Sequence, residues 1–159
     1  CELIAIDPYP SETVRAGFPG LSRLMPREVQ DVPIEEFKTL SENDIVFIDS
    51  SHVVHIASDV RYEYLEILPR LNKGVIVHAH DIFLPAEYPR HWIQSRYRFW
   101  NEQYLLQAFL TFNECFQVLW AGNYMHQEHP DELEAAFASY REKDRSWVGP
   151  GSFWMRKVR

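Results

Sequence analysis

Short apolar runs closed by polar punctuation set the rhythm of this chain. Residues 3–6, LIAI, stop at Asp7, Pro8 and Pro10, the pattern of a buried strand entering a turn. Residues 11–22 read as a loop or short helix broken by Pro19 and Gly20, residues 24–32 as a further strand, and residues 34–40 as a short helix. The run DIVFI at 44–48 is a second clear strand, closed by Asp49. Ser58 can cap a helix reaching about Leu71, because Val60, Tyr64, Ile67, Leu68 and Leu71 recur at helical spacing on one face, and Asn72 and Gly74 then supply the stop. Residues 74–77 form the third clear strand, which runs into His78, His80 and Asp81. The Pro- and aromatic-rich residues 83–99 predict a long irregular loop of the kind that lines active sites. A helix over 100–112, a strand over 116–121, a polar helix over 130–141 and a last strand over 152–157 complete the pattern. Strands alternating with helices predict one α/β domain over residues 1–159 with a mainly parallel sheet.

Composition narrows the function classes. With 46% hydrophobic and 25% charged residues among 159, the chain can bury an ordinary core without disulfides. A net charge of -7 and a pI near 5.5 argue against a nucleic-acid scaffold, which needs a clustered basic face. The basic residues between Arg90 and Arg98 are interleaved with Trp92 and Tyr97 and read as a solvated loop. Two cysteines make no framework, no apolar run approaches the ~18 residues of a membrane span, and no signal peptide opens the chain. The expectation is therefore a cytoplasmic protein with no membrane partner, acting on a small molecule, with a homodimer as one option.

The candidate chemistry gathers at strand ends. In an open α/β sheet ligands sit beyond the carboxyl ends of the strands, and there Asp7, Asp49 and Asp81 each close an apolar run. Any one of them is as easily a turn cap. Asp7 stands where nucleotide-binding sheets use a carboxylate to accept ribose hydroxyls. Asp49 and Asp81 are placed to share a Mg²⁺ ion, and His52, three residues past Asp49, to act as base or ligand. His78, inside the strand run, reads as a hydrogen-bonded core residue.

The stretches AIDPYPSE, DIVFIDSSHV, LPRLNKGVIVHAHDIFLP and RFWNEQYLLQAFL together resemble the class I S-adenosylmethionine-dependent methyltransferases, within them the bacterial small-molecule group. The resemblance implies a Rossmann-like sheet, mostly parallel with an antiparallel last strand and helices on both faces. It also implies methyl transfer from S-adenosylmethionine to a small acceptor, at oxygen. Asp7 with Pro8 would hold the cofactor ribose, and Asp49 and Ser50 would lie near the methyl group. Asp49, His52 and Asp81 are the expected catalytic residues, and Asp49, His80 and Asp81 the expected Mg²⁺ ligands. Phe83, Tyr88, Trp92, Trp100 and Tyr104, with Phe99, would wall the acceptor pocket. Three departures stand out. Ser51 occupies a position where metal-dependent relatives carry an acid, and His80-Asp81 replaces a pair of acids. None of the six glycines forms the family's Gly-rich first turn, so the first strand and helix are expected upstream of residue 1, the strand lying between those that end at Asp7 and Asp49.

Two rival readings remain at this stage. His78 and His80, two apart in a strand, share a face and with Asp49 or Asp81 would suit a metal-dependent hydrolase. A non-catalytic methyltransferase-like binding domain is the other.

Overall fold

The computed structural model describes residues 1–141 and 149–159. The first strand, β1 (Leu3–Ile6), leads through α1 (Glu12–Ala16) to β2 (Leu21–Met25), and the two strands pair in parallel as a sheet of their own. Helix α2 (Ile34–Lys38) then precedes β3 (Ile45–Ile48), which pairs in parallel with β4 (Ile76–His80). The last strand, β6 (Ser152–Lys157), inserts antiparallel between β4 and β5 (Phe116–Ala121), giving the order β3-β4-β6-β5. The expected antiparallel last strand is therefore present. The strands fall into two sheets, because the free edges of β1 and β3 pair with nothing among the described residues.

Burial alternates along the larger sheet as a pleated sheet requires. Ile48, Val77, Ala79, Phe153 and Met155 face the core, where Val60, Tyr64, Ile67, Leu68 and Leu106 pack against them. The opposite face leaves Ile45 and Phe47 exposed and half-buries His78 and Trp154. On that opposite face Phe137, from the helical segment after β5, lines a cavity with Ile76, Trp120 and Trp154. Among the described residues no helix is long and apolar enough to cross a membrane.

Several boundaries differ from the sequence expectation, each for a local reason. The strand expected over 24–32 ends at Met25, since Pro26 cannot donate to a ladder, and the chain turns through a 3-10 segment, Val29–Asp31. The third strand runs on to His80, three residues beyond the expected end, because β6 pairs with it as far as His80↔Ser152. The loop at 83–99 contains α4 (Arg90–Arg96), which starts after Pro89 and ends where Tyr97 adopts a left-handed conformation. Helix α5 (Glu102–Leu110) is shorter than expected at both ends. The helix α6 (Gly122–Glu128) follows β5 without a break, and the expected helix over 130–141 divides at Phe137 into α7 (Pro130–Ala136) and α8 (Ala138–Arg141).

The helix after Ser58 keeps its cap, with the Ser58 hydroxyl accepting from the Arg61 amide at 3.2 Å. It is not one continuous α-helix: α3 (Asp59–Tyr62) widens into a π-helical turn, Glu63–Ile67, and tightens to a 3-10 turn, Leu68–Arg70. Pro69 removes one backbone donor from the ladder. Such π turns re-aim side chains and recur at functional sites, and this one buries Tyr64 together with the Oε2 atom of the half-buried Glu63.

Candidate functional site

Beyond the carboxyl ends of β3 and β4 four predicted residues meet. Asp49 Oδ1 lies 3.4 Å from His52 Nε2 and 3.3 Å from His80 Nδ1, and His80 Nδ1 lies 3.6 Å from Asp81 Oδ1. Asp81 holds a left-handed backbone, φ 55, and Gly151 backs it so closely that a Cβ there would come within 2.9 Å of the Asp81 Cα. The amide of Ile82 donates to the Gly151 carbonyl at 3.2 Å, so β6's approach segment supports this corner.

His52 is the best-held member of the group. It is buried, at 6% exposure, and its own φ is 61, a conformation that a residue with a side chain keeps only where its surroundings impose it. Those surroundings come from α5. The amides of Asn101 and Glu102 donate to the His52 carbonyl, at 3.0 and 3.3 Å, and the Asn101 side chain accepts from the Val54 amide at 2.5 Å. The imidazole lies against the Trp100 indole with ring centroids 4.1 Å apart. Its Nδ1 is 2.7 Å from Glu102 Oε2, while Glu102 Oε1 accepts from the Tyr64 hydroxyl at 2.8 Å.

Electrostatics follow this geometry. Burial works against the charged imidazolium of His52, but the hydrogen bond and charge of Glu102, with Asp81 and Asp49 beyond, outweigh it and raise the pKa above 6.5. Burial, then the Glu102 charge, push the Tyr64 hydroxyl well above its usual range, so it stays a donor. Glu63 sits behind the group. Burial, then the charges of Glu102 and Asp59, push its carboxyl up to about 8, and the Ser50 hydroxyl offsets only part of this. Among the described residues neither Ser50 Oγ nor Glu63 Oε2 has a hydrogen bond of good geometry.

The aromatic residues expected to wall a pocket do come together. Tyr88 is the hub, with ring centroids 6.0 Å from Phe83, 6.5 Å from Trp92, 6.2 Å from Trp100 and 6.0 Å from Tyr104. Phe83 and Tyr88 are buried and form the packed back of this wall, whereas Trp92 and Trp100 are half-buried and Phe99 and Tyr104 exposed. Gln103 staples the wall to α5: its amide oxygen accepts from the Phe83 amide at 3.1 Å and its Nε2 donates to the Ala86 carbonyl at 3.1 Å. The Arg98 guanidinium lies over both Trp92 and Trp100, at 5.1 and 4.9 Å from the ring centroids.

Other predicted residues stand elsewhere. Asp7 follows β1 of the smaller sheet, and its Oδ1 accepts from the Tyr9 amide at 2.8 Å, a turn cap that leaves Oδ2 without a bond to any of the described residues. His78 is hydrogen-bonded as expected, its Nε2 being 2.9 Å from Ser152 Oγ, but it is no core residue: it stacks on Trp154 at 4.1 Å on the open face of the sheet. Ser51 binds Asp59 through both its amide, at 2.8 Å, and its hydroxyl, at 2.5 Å, so it serves the start of α3. Among the described residues no group of three or more His, Cys, Asp or Glu side chains is disposed to hold a metal ion, so nothing supports Mg²⁺ at Asp49, His80 and Asp81. The same finding leaves the His78/His80 hydrolase without a centre.

Sequence reasoning missed Glu102, Glu63 and the role of Tyr64. An acid in the first turn of a helix reads as complementing the helix dipole, and Glu102 sits 50 residues from the histidine it binds. Tyr64 lies on the apolar stripe and reads as core; no local signal marks its hydroxyl.

A family model described as a methyltransferase domain matches residues 1–82, which is 82 of the 159 residues and includes Asp7, Asp49, His52 and Asp81. No curated protein and no solved structure matches the chain.

Proposed function

The chain belongs to a methyltransferase domain family, and from that premise we propose that it moves a methyl group from S-adenosylmethionine to a hydroxyl oxygen of a small-molecule acceptor. The observation that carries this reading is the placement of His52 and Asp49 side by side at the carboxyl ends of the strands, 3.4 Å apart and next to the aromatic wall.

The residues present fit the cofactor. Asp7 has Oδ2 open for a ribose hydroxyl while Oδ1 keeps the turn, with Pro8 stiffening the segment that follows β1. Ser50 directly follows Asp49, where the methyl group is expected. The bound cofactor supplies an electrophilic methyl on a sulfonium. The chain's own work is then to orient the acceptor and to take its proton. In this reading His52 Nε2 accepts that proton, Asp49 orients the hydroxyl, and Asp81 with His80 shapes the far side. Phe83, Tyr88, Trp92, Trp100 and Tyr104 exclude water from the acceptor. A further strand between β1 and β3 belongs to the same reading, since it would pair two open edges and shield the exposed Leu3, Ile4, Ile45 and Phe47.

The test is calorimetric titration of S-adenosylhomocysteine into the protein, with and without Mg²⁺. Micromolar binding is the expected result, indifferent to Mg²⁺. No binding would remove the methyltransferase reading, and binding that requires Mg²⁺ would restore the metal. Binding with no turnover of any hydroxyl acceptor would favour a non-catalytic binding domain.

A further inference from the structure

We infer that Glu102 is a positioning residue that holds His52 in the Nδ1–H tautomer and leaves Nε2 free to receive a proton at the reacting centre. This rests on the reading of His52 as proton acceptor. It lies outside the residues matched by the family model, which end at 82, so nothing in that match assigns it.

Two carboxylates compete for the single proton of a neutral His52. Glu102 Oε2 is 2.7 Å from Nδ1 and its side chain is 0% exposed; Asp49 Oδ1 is 3.4 Å from Nε2 and its side chain is 50% exposed. A short hydrogen bond to a carboxylate in a dry setting is much the stronger of the two, since both distance and water weaken the other. The proton therefore stays on Nδ1, and the lone pair of Nε2 points toward Asp49.

Glu102 is itself immobilised. Its Oε1 accepts from Tyr64, its own amide binds the His52 carbonyl, and Trp100 closes one face of the ring. Acid and imidazole are thus clamped to each other through backbone as well as side chain. The other ring nitrogen, Nε2, faces the strand ends, 3.4 Å from Asp49 Oδ1.

In the transfer step the acceptor O–H bond breaks and its proton bonds to Nε2. The oxygen forms the bond to the methyl carbon as the sulfur–carbon bond breaks, its electron pair remaining on sulfur. The imidazolium so formed lies between Glu102 and Asp49, and solvent water later takes the proton away.

The test is a long-range ¹H–¹⁵N spectrum of the labelled protein at a pH where His52 is neutral. Wild-type His52 is expected as the Nδ1–H tautomer. Glu102→Leu keeps the volume and deletes the acceptor, and it should move the population toward Nε2–H, the form that imidazole prefers in water. Affinity for S-adenosylhomocysteine, measured in parallel, should stay within about twofold, since no cofactor contact is altered. Wild-type His52 found as Nε2–H overturns the inference whether or not the variant folds. A folded Glu102→Leu protein that retains Nδ1–H overturns it as well. Wild-type protein that fails to bind S-adenosylhomocysteine would sink the methyltransferase reading alone, because the tautomer measurement needs no cofactor.

Discussion

Glu63→Gln replaces a buried carboxyl by an amide of the same shape, and its effect on stability should depend strongly on pH. Glu63 sits in the π-helical turn with Oε2 lacking a well-formed partner, and burial, then Glu102 and Asp59, raise its pKa to about 8. In the unfolded chain the same carboxyl ionises near 4.3. The folded protein thus keeps a proton that the unfolded chain has already released. Between these pH values the unfolded state binds fewer protons than the native state, so stability falls as pH rises. Every tenfold difference in proton affinity between the two states corresponds to roughly 1.4 kcal/mol, which over the interval gives a loss of about 2 to 5 kcal/mol by pH 8, a large part of a typical domain's stability. Glutamine has no proton to lose. The variant should therefore match wild type near pH 4, exceed it progressively up to pH 8, and keep a constant advantage above that. Urea unfolding followed by tryptophan fluorescence at pH 4, 6 and 8 measures both proteins on the same scale, and titrating groups not coupled to Glu63 cancel in the difference. Parallel pH profiles for the two proteins would refute the account of Glu63 as a neutral buried acid.

The other expectations are more local. The NMR titration midpoint of His52 should lie above 6.5, so its ionised pairing supports the fold fully below pH 6.5 and fades as pH rises through the raised value; in Glu102→Leu the midpoint should fall, because burial remains and the main opposing partner is gone. A midpoint unmoved by that substitution would contradict the assigned cause. Asp7→Ala should weaken S-adenosylhomocysteine binding by about 1 to 3 kcal/mol in calorimetry, and unchanged affinity would confine Asp7 to its turn cap. Gly151→Ala brings a methyl within 2.9 Å of Asp81 Cα and 3.0 Å of Phe83 Cζ, so a loss of about 1 to 3 kcal/mol in urea unfolding is expected; an unaltered midpoint would mean that the corner yields at no cost.

The α/β class, the strand cores and the gathering of chemistry beyond strand ends were legible in the residues themselves. They depend on short-range signals: apolar runs of strand length, Ser58 as a cap, Pro and Gly as stops, and an acid directly after each run. Strand β5 and strand β6 matched their expected bounds for that reason, and Asp49, His52, His80 and Asp81 lie close together because β3 and β4 are parallel neighbours whose ends coincide. Other features depend on distant partners and leave no local trace. β4 reached His80 only because β6 pairs along it, and the helix after Ser58 gained its π turn upstream of a proline that the apolar stripe alone passes over. Asp7, similar in sequence to Asp49, ended on a separate sheet with a turn to cap. The same holds most clearly for Glu102: a first-turn acid becomes the partner of His52 once α5 packs its N-terminus against the loop after β3, 50 residues away. Periodicity reports which face a residue shows to the core, whereas the identity of the group waiting there is decided only when the elements close on one another.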